Sequence, residues 1–256
     1  MISEPLLLLT NDDGIDAPGL YALSQELQKI GKPIIVAPSV ERSAVGHAIT
    51  LFDPLRVWEY QRNGSFYGYA VNGTPADCIK IACGAVLDRK PDIIVSGINL
   101  GPNTGINIIY SGTVSAATEG AILGIPSFSI SLATYKNADF KYAAKFALKL
   151  ASSLLEKGLP RGIYLNVNIP PCPEHEIKGV AITRQGMAVF EEKFDKRIDP
   201  RGRIYYWLTG QKIDKEIDIG VDDGAIQDKM VSVTPVHYDL TRYDFLEKLR
   251  QWKLEK

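Results

Sequence analysis

Histidine, cysteine and one-sided charge are what this 256-residue sequence has least of: three histidines, three cysteines, and 29 basic against 30 acidic side chains for a formal net charge of −1. A balance so close to neutral lacks the basic face that grips a nucleic-acid polymer, although a small anion needs only a local site. Cys78, Cys83 and Cys172 are an odd number without CxxC spacing, which reads as reduced thiols of a cytoplasmic protein. Histidine and cysteine also lack zinc-ligand spacing. The longest purely aliphatic run near the N-terminus, Leu6–Leu9, is far short of the roughly 20 residues of a membrane span, and no basic segment precedes it as in a signal peptide. The only Gly-Lys pair, Gly31-Lys32, is not part of a P-loop, and the glycines between 96 and 105 do not fit GxGxxG. A P-loop ATPase and a redox dinucleotide enzyme are therefore disfavoured. No repeat stands out.

What is present is an average globular composition, 45% hydrophobic and 23% charged, at a length that suits one large domain or one domain with an arm. Short apolar runs at Leu6–Thr10, Pro33–Ala37, Tyr67–Val71, Asp92–Ser96, Ser127–Leu132 and Ile163–Ile169 read as strands, several buried on both faces. Amphipathic stretches alternate with them. Ala17–Ile30 follows Asp16 as a candidate N-cap, Thr74-Pro75-Ala76-Asp77 has the form of a capping box, and Tyr142–Glu156 carries one apolar face. This alternation predicts an α/β fold, a Rossmann-like three-layer sandwich on a mainly parallel sheet, over residues 1–171. After Pro170-Pro171 the pattern changes. Val180–Thr183, Ile204–Leu208 and Val231–Thr234 look like antiparallel hairpins, Glu191–Arg203 like a solvated loop or arm, and Tyr243–Leu254 like a short amphipathic helix. Residues 172–256 are thus expected to form a C-terminal hairpin and helix extension.

Polar clusters sit where strands end, which in an open parallel sheet is where ligands bind. Asp12 and Asp13 are adjacent carboxylates at the exit of the first strand, and two such charges call for a cation. With Ser43 and Asn99 nearby in the pattern, the oxygen-only set points to a hard divalent ion, Mg²⁺ or Mn²⁺. Read alone, Asn11-Asp12-Asp13-Gly14 is equally good turn chemistry. Ser111, Gly112 and Thr113 open an alanine-rich helix, where backbone N–H groups and hydroxyls make an oxyanion or phosphate cradle; an ordinary serine N-cap is the plain alternative. A metal site facing such a cradle is what phosphoester hydrolysis requires.

Together these clusters resemble the SurE family of stationary-phase survival proteins. The matching stretches are TNDDGIDAPGL at 10–20, APSVERSAVGHAIT at 37–50, NGTPADC at 72–78, SGINLGPNTG at 96–105, YSGTVSAATEG at 110–120 and VSVTPVHYDLT at 231–241. The resemblance implies a metal-dependent nucleotidase acting on nucleoside 5′-monophosphates and extending to 3′-monophosphates, with exopolyphosphatase activity as a side reaction. It implies one divalent cation per subunit on Asp12, Asp13, Ser43 and Asn99, with Asp12 and Asp13 catalytic. It places Asn103, Ser111, Gly112 and Thr113 against the substrate phosphate. It further implies a homodimer or homotetramer built by exchange of the C-terminal part. Ser115 departs from the family pattern, which usually has glycine after SGTV. Two rival readings stand beside this one: a metal-dependent sugar-nucleotide transferase, and a non-catalytic nucleotide-binding regulatory protein.

Other residues admit a sharp and a plain reading. His47 follows the RSAVG loop and is either a substrate contact or structural. His237, after the 231–234 segment, is a candidate proton donor to the leaving group. Arg42 either pairs with Glu41 or approaches a phosphate. Tyr205, Tyr206 and Trp207 either stack on a base or pack between subunits. Cys78 and Cys83 read as core fillers.

Overall fold

The computed structural model describes residues 4–187, 189–213, 218–252 and 254. In chain order its elements are β1 (Leu6–Thr10), α1 (Pro18–Leu27), β2 (Lys32–Pro38), β3 (Val57–Arg62), β4 (Ser65–Val71), α2 (Pro75–Ile81), β5 (Ile93–Leu100), α3 (Gly112–Ile122), β6 (Ser127–Leu132), α4 (Lys141–Lys157), β7 (Ile163–Ile169), β8 (Gly179–Ile182), β9 (Val189–Ile198), β10 (Ile204–Ile213), α5 (Asp222–Gln227), β11 (Met230–His237) and α6 (Tyr243–Arg250). A π-helical turn, Ala82–Val86, extends α2, and a 3₁₀ segment, Gly105–Tyr110, leads into α3.

Among the described residues nine strands form one sheet in the order β3-β4-β2-β1-β5-β6-β7-β11-β8. The run from β4 to β7 is parallel, as the continuous aliphatic segments predict. Helices cover both faces. Leu7 and Leu9 of β1 join the cluster completed by Leu20, Leu23 and Leu27 of α1 and Ala143, Ala147 and Leu154 of α4. Leu8 joins the opposite cluster, with Cys78 and Ile79 of α2 and Ala116 of α3. One tetraleucine thus serves two cores because side chains alternate along a strand. This is the three-layer α/β architecture expected.

Several local expectations are corrected. Asp16 does not cap α1; the N-cap is Ala17, without a side-chain bond. Asp16 instead accepts from Arg62 Nη1 at 3.0 Å, while that guanidinium lies 4.4 Å over the Tyr21 ring and so fastens β3 to α1. The capping box at Thr74 and Asp77 is present as read. β3 is an element that the apolar runs do not announce, although Asn63 and Gly64, both at positive φ, make the tight turn that pairs it with β4.

The pattern change after Pro171 is not a change of sheet. β11 runs antiparallel beside β7, and β8 pairs with β11 in parallel, so both extend the main sheet. Alternating segments reveal that a strand has one wetter face; they do not reveal its partner or its direction. A separate antiparallel ribbon is formed by β9 and β10, in which Glu191–Ile198 is strand rather than solvated loop. The ribbon exposes Phe194, Tyr206, Trp207 and Leu208, and α6 exposes Phe245, Leu246 and Leu249.

Candidate active site

The parallel strands β1, β2, β5 and β6 deliver their carboxyl ends to one rim, and the loops there surround a cavity of about 680 Å³. Asp12, Asp13, Ser43, Asn99, Asn103 and Ser111 all line it. Four segments separated in sequence converge because β1 lies between β2 and β5, and β6 follows.

The turn after β1 is held from within. Asn11 Nδ2 donates to the Gly14 carbonyl at 3.0 Å, and the Arg42 amide donates to the Asp12 carbonyl at 2.7 Å, laying the 38–43 loop over the acidic pair. Gly14, at φ +99°, is approached so closely that a Cβ there would sit 3.2 Å from the Val40 carbonyl carbon. Asp12 is only 5% exposed. Its Oδ1 accepts from the Thr113 hydroxyl, and the Gly112 and Thr113 amides also favour its ionised form; burial nonetheless prevails and raises its pKa. Asp13 Oδ2 accepts from the Leu100 amide at 3.3 Å. Burial, followed by the charges of Asp12 and Glu41, pushes the Asp13 carboxyl up to about 6. No lysine, arginine or histidine among the described residues forms an ion pair with Asp12, Asp13 or Glu41.

Ser43 and Asn99 are positioned by their loops. Ser43 Oγ donates to Glu41 Oε1 at 2.7 Å and keeps its lone pairs. Asn99 Nδ2 donates to the Gly101 carbonyl at 2.8 Å, leaving its amide oxygen without a bond inside the chain among the described residues. The β5–β6 register shifts between Gly97 and Asn99, and Gly97, at φ +140°, passes where a Cβ would lie 2.3 Å from the Ile130 carbonyl oxygen. A buried and a half-buried carboxylate side by side, with no cationic partner among the described residues and with neutral oxygen donors beside them, suit a hard divalent cation. The donor set fits the group that the sequence chemistry calls for.

The phosphate cradle is arranged differently from its sequence reading. Ser111 caps α3 by accepting from the Val114 amide at 3.1 Å. Thr113 is fully buried, with its hydroxyl turned to Asp12 rather than to the cavity. Gly112 leaves the space the acid needs, since a Cβ there would lie 2.9 Å from the Asp12 Cβ. Ser115 is accommodated by donating to the Ser111 carbonyl at 2.6 Å.

Asn103 is fixed by residues the sequence reading does not single out. Its amide donates to Asn168 Oδ1, its carbonyl accepts from Asn166 and Asn168, and its side chain donates to Ser131 Oγ at 2.9 Å. Asn166 and Asn168 are wholly buried in β7, and paired amides inside a buried strand are the signal that points to them. Asp222, also wholly buried, accepts from the Gly105 and Gly186 amides, and Asp223 accepts from the Thr104 hydroxyl. Tyr110, Tyr135, Glu192 and Leu208 complete the wall, the last two from the ribbon. Tyr135 lies just beyond the end of β6, so the strand-end rule applied to every parallel strand finds it.

Two histidine readings change. His47 Nε2 sits 2.9 Å from Glu119 Oε2, with Lys80 Nζ 2.8 Å from Oε1, so the histidine ties the 43–50 loop to α3. His237 pairs in register with Ile163, at the start of β7. Because β11 is antiparallel to β7, this is the opposite end of the sheet from Asp12, which excludes His237 as proton donor at this cavity.

Comparison with known proteins agrees with this geometry. The family model described as "Survival protein SurE" matches residues 7–192. A protein of Syntrophus aciditrophicus named 5′-nucleotidase SurE is 53% identical over 244 residues, covering 95% of this chain and 92% of the relative. One of the same name from Chlorobium limicola is 50% identical over 255 residues, covering 100% of this chain and 99% of its own. The crystal structure of SurE protein from Aquifex aeolicus superposes with a TM-score of 0.85 at 41% identity, over 97% of this chain and 100% of that one. With the family model spanning most of the sequence and the same fold in a relative over its full length, the chain belongs to the SurE family.

Proposed function

We infer that this chain is a 5′-nucleotidase, a phosphomonoesterase that hydrolyses nucleoside 5′-monophosphates to nucleoside and phosphate. The observation that carries the reading is the adjacent Asp12–Asp13 pair, one buried and one half-buried and without a cationic partner among the described residues, at the strand-end rim of a cavity of about 680 Å³, a size suited to a nucleotide. The names of the relatives favour it over the sugar-nucleotide transferase and the regulatory protein.

Asp12, Asp13, Ser43 and Asn99 would hold one divalent cation, Mg²⁺ or Mn²⁺. When bound, that ion supplies Lewis-acid polarisation of the phosphoryl group and lowers the pKa of a water. Asp12, fixed by Thr113, acts as an anchor. Asp13, whose Oδ1 carries no hydrogen bond within the chain among the described residues, receives the proton of the attacking water. Asn103 and Ser111 face the phosphoryl oxygens, and Gly112 and Thr113 act one step behind them, through the Asp12 carboxylate that their amides favour in its ionised form. Activity on 3′-monophosphates and polyphosphate belongs to the same reading. The exposed ribbon and α6 support a homodimer or homotetramer built by C-terminal exchange, and the three free thiols support a cytoplasmic location.

The test is phosphate release from AMP and GMP with Mg²⁺ or Mn²⁺, with and without chelator. Metal-dependent release that falls at least about 100-fold in Asp12→Asn and Asp13→Asn is expected. Release indifferent to chelator, or full activity in both variants, overturns the reading. Glycosyl transfer to an acceptor would restore the first rival, and nucleotide binding without turnover the second.

A further inference from the structure

On the reverse side of the loop that carries Ser43 lies a second polar hollow, of about 420 Å³, that the hydrolytic reading does not use. Glu41, Ser43 and Ala44 line the active-site cavity, whereas Arg42, between them, lines this one. Arg42 Nη2 donates to the Asn72 carbonyl at 3.0 Å, but its Nε–H is buried without any acceptor among the described residues. A buried guanidinium N–H without a partner is rare in folded proteins and marks a place where something else supplies the oxygen. Arg56 lines the same hollow, and its guanidinium has no partner among the described residues; its backbone amide is held by Asn72 Oδ1 at 2.8 Å, which fixes where the side chain starts.

One acid, Asp53, shares the hollow, and neither guanidinium forms an ion pair with it. The nearby Asp77 is already occupied by Thr50 and Thr74. Two planar, permanently charged forks against one exposed carboxylate select an oxyanion that accepts several N–H bonds, and a tetrahedral dianion does so best. The volume leaves room for the anion with part of its hydration shell.

We propose that Arg42 and Arg56 form a second anion site on this protein, separate from the catalytic cavity, that binds inorganic phosphate. The site does not depend on the hydrolase assignment, because its residues are not those of the acidic pair. It is therefore read by binding to the metal-free chain. Inorganic phosphate is titrated calorimetrically into the full chain in chelator at constant ionic strength, beside Arg56→Ala and Arg56→Lys. The expected result is one phosphate per chain, weakened at least tenfold by Arg56→Ala and partly restored by Arg56→Lys, with the melting temperature and AMP hydrolysis of both variants unchanged. Equal affinity in wild type and Arg56→Ala overturns the site. So does displacement of phosphate by an equal ionic strength of sodium chloride, which would show general charge screening instead. Loss of AMP hydrolysis in all proteins would count against the nucleotidase reading and leave the phosphate titration to decide this one.

Discussion

Replacing Asp13 with asparagine should stabilise the metal-free protein, because its carboxylate is ionised at neutral pH against burial and against the charges of Asp12 and Glu41. A carboxyl that titrates near 6 when folded and near 3.8 when unfolded costs about 3 kcal/mol once ionised. Water still reaches this half-buried group, which trims the figure to about 2 kcal/mol. The folded chain holds the proton more tightly, so the native state loses stability as pH rises from about 4 to about 6, and the full cost persists above that. The asparagine of Asp13→Asn keeps an oxygen for the Leu100 amide, so the substitution removes charge without removing that bond. Thermal unfolding in chelator at pH 7.5 should therefore show Asp13→Asn melting on the order of 4–8 °C above wild type. The gain should vanish near pH 4. Added Mg²⁺ should raise the wild-type melting temperature more than the variant's. A variant that is less stable at pH 7.5, or a difference that is the same at pH 4 and pH 7.5, would refute the electrostatic reasoning.

Four further outcomes rest on the same geometry. Thr113→Val keeps the shape but removes the buried donor to Asp12, and kcat/KM for AMP should fall about 10–100-fold, as expected for a charge-assisted hydrogen bond. Gly112→Ala forces a methyl against Asp12 and Pro75 Cγ, so activity should drop by at least about tenfold while circular dichroism stays native; retained activity would show that the helix start yields. Asp77→Ala strands the donors of Thr50 and Thr74 and should destabilise by about 2–4 kcal/mol in urea. Hydrogen bonds hold the Asp77 pKa below its ordinary value despite burial, so its contribution is present above about pH 4 and fades as pH falls further. His237→Ala, at the far end of the sheet, should leave kcat/KM within about twofold, and a larger loss would contradict the antiparallel placement of β11.

The rim of the cavity is legible in the sequence because it obeys a positional rule. Asp12, Ser43, Asn99 and Ser111 can be grouped without a structure since each follows an apolar strand or opens a helix, and parallel strands deliver those points to one edge. What escapes is direction and partnership. Nothing in the spacing of Thr113 says that its hydroxyl turns back to Asp12, a matter of how deeply α3 packs. His237 closes an alternating stretch, yet its distance from the cavity follows from strand polarity, which period-two alternation does not encode. β3 goes unseen although Asn63-Gly64 announces a hairpin, because its exposed edge lacks the aliphatic run that marks the other strands. Asn166 and Asn168, which hold Asn103, are hidden inside a strand recognised by its apolar residues alone.

The placement of β11 between β7 and β8 also sets an order of assembly. Among the described residues β8 has no neighbour except β11, yet it ends at Ile182 and its neighbour begins only at Met230. As the chain emerges from the ribosome, the β9–β10 ribbon, whose contacts are local, has time to form while the outer edge at β7 is still open. The last part of the sheet therefore closes after the ribbon has had time to form. A chain that stops before Met230 would keep the acidic pair but lack β11 and leave β8 without its partner, so that β7 becomes a bare edge prone to pairing with whatever strand it encounters.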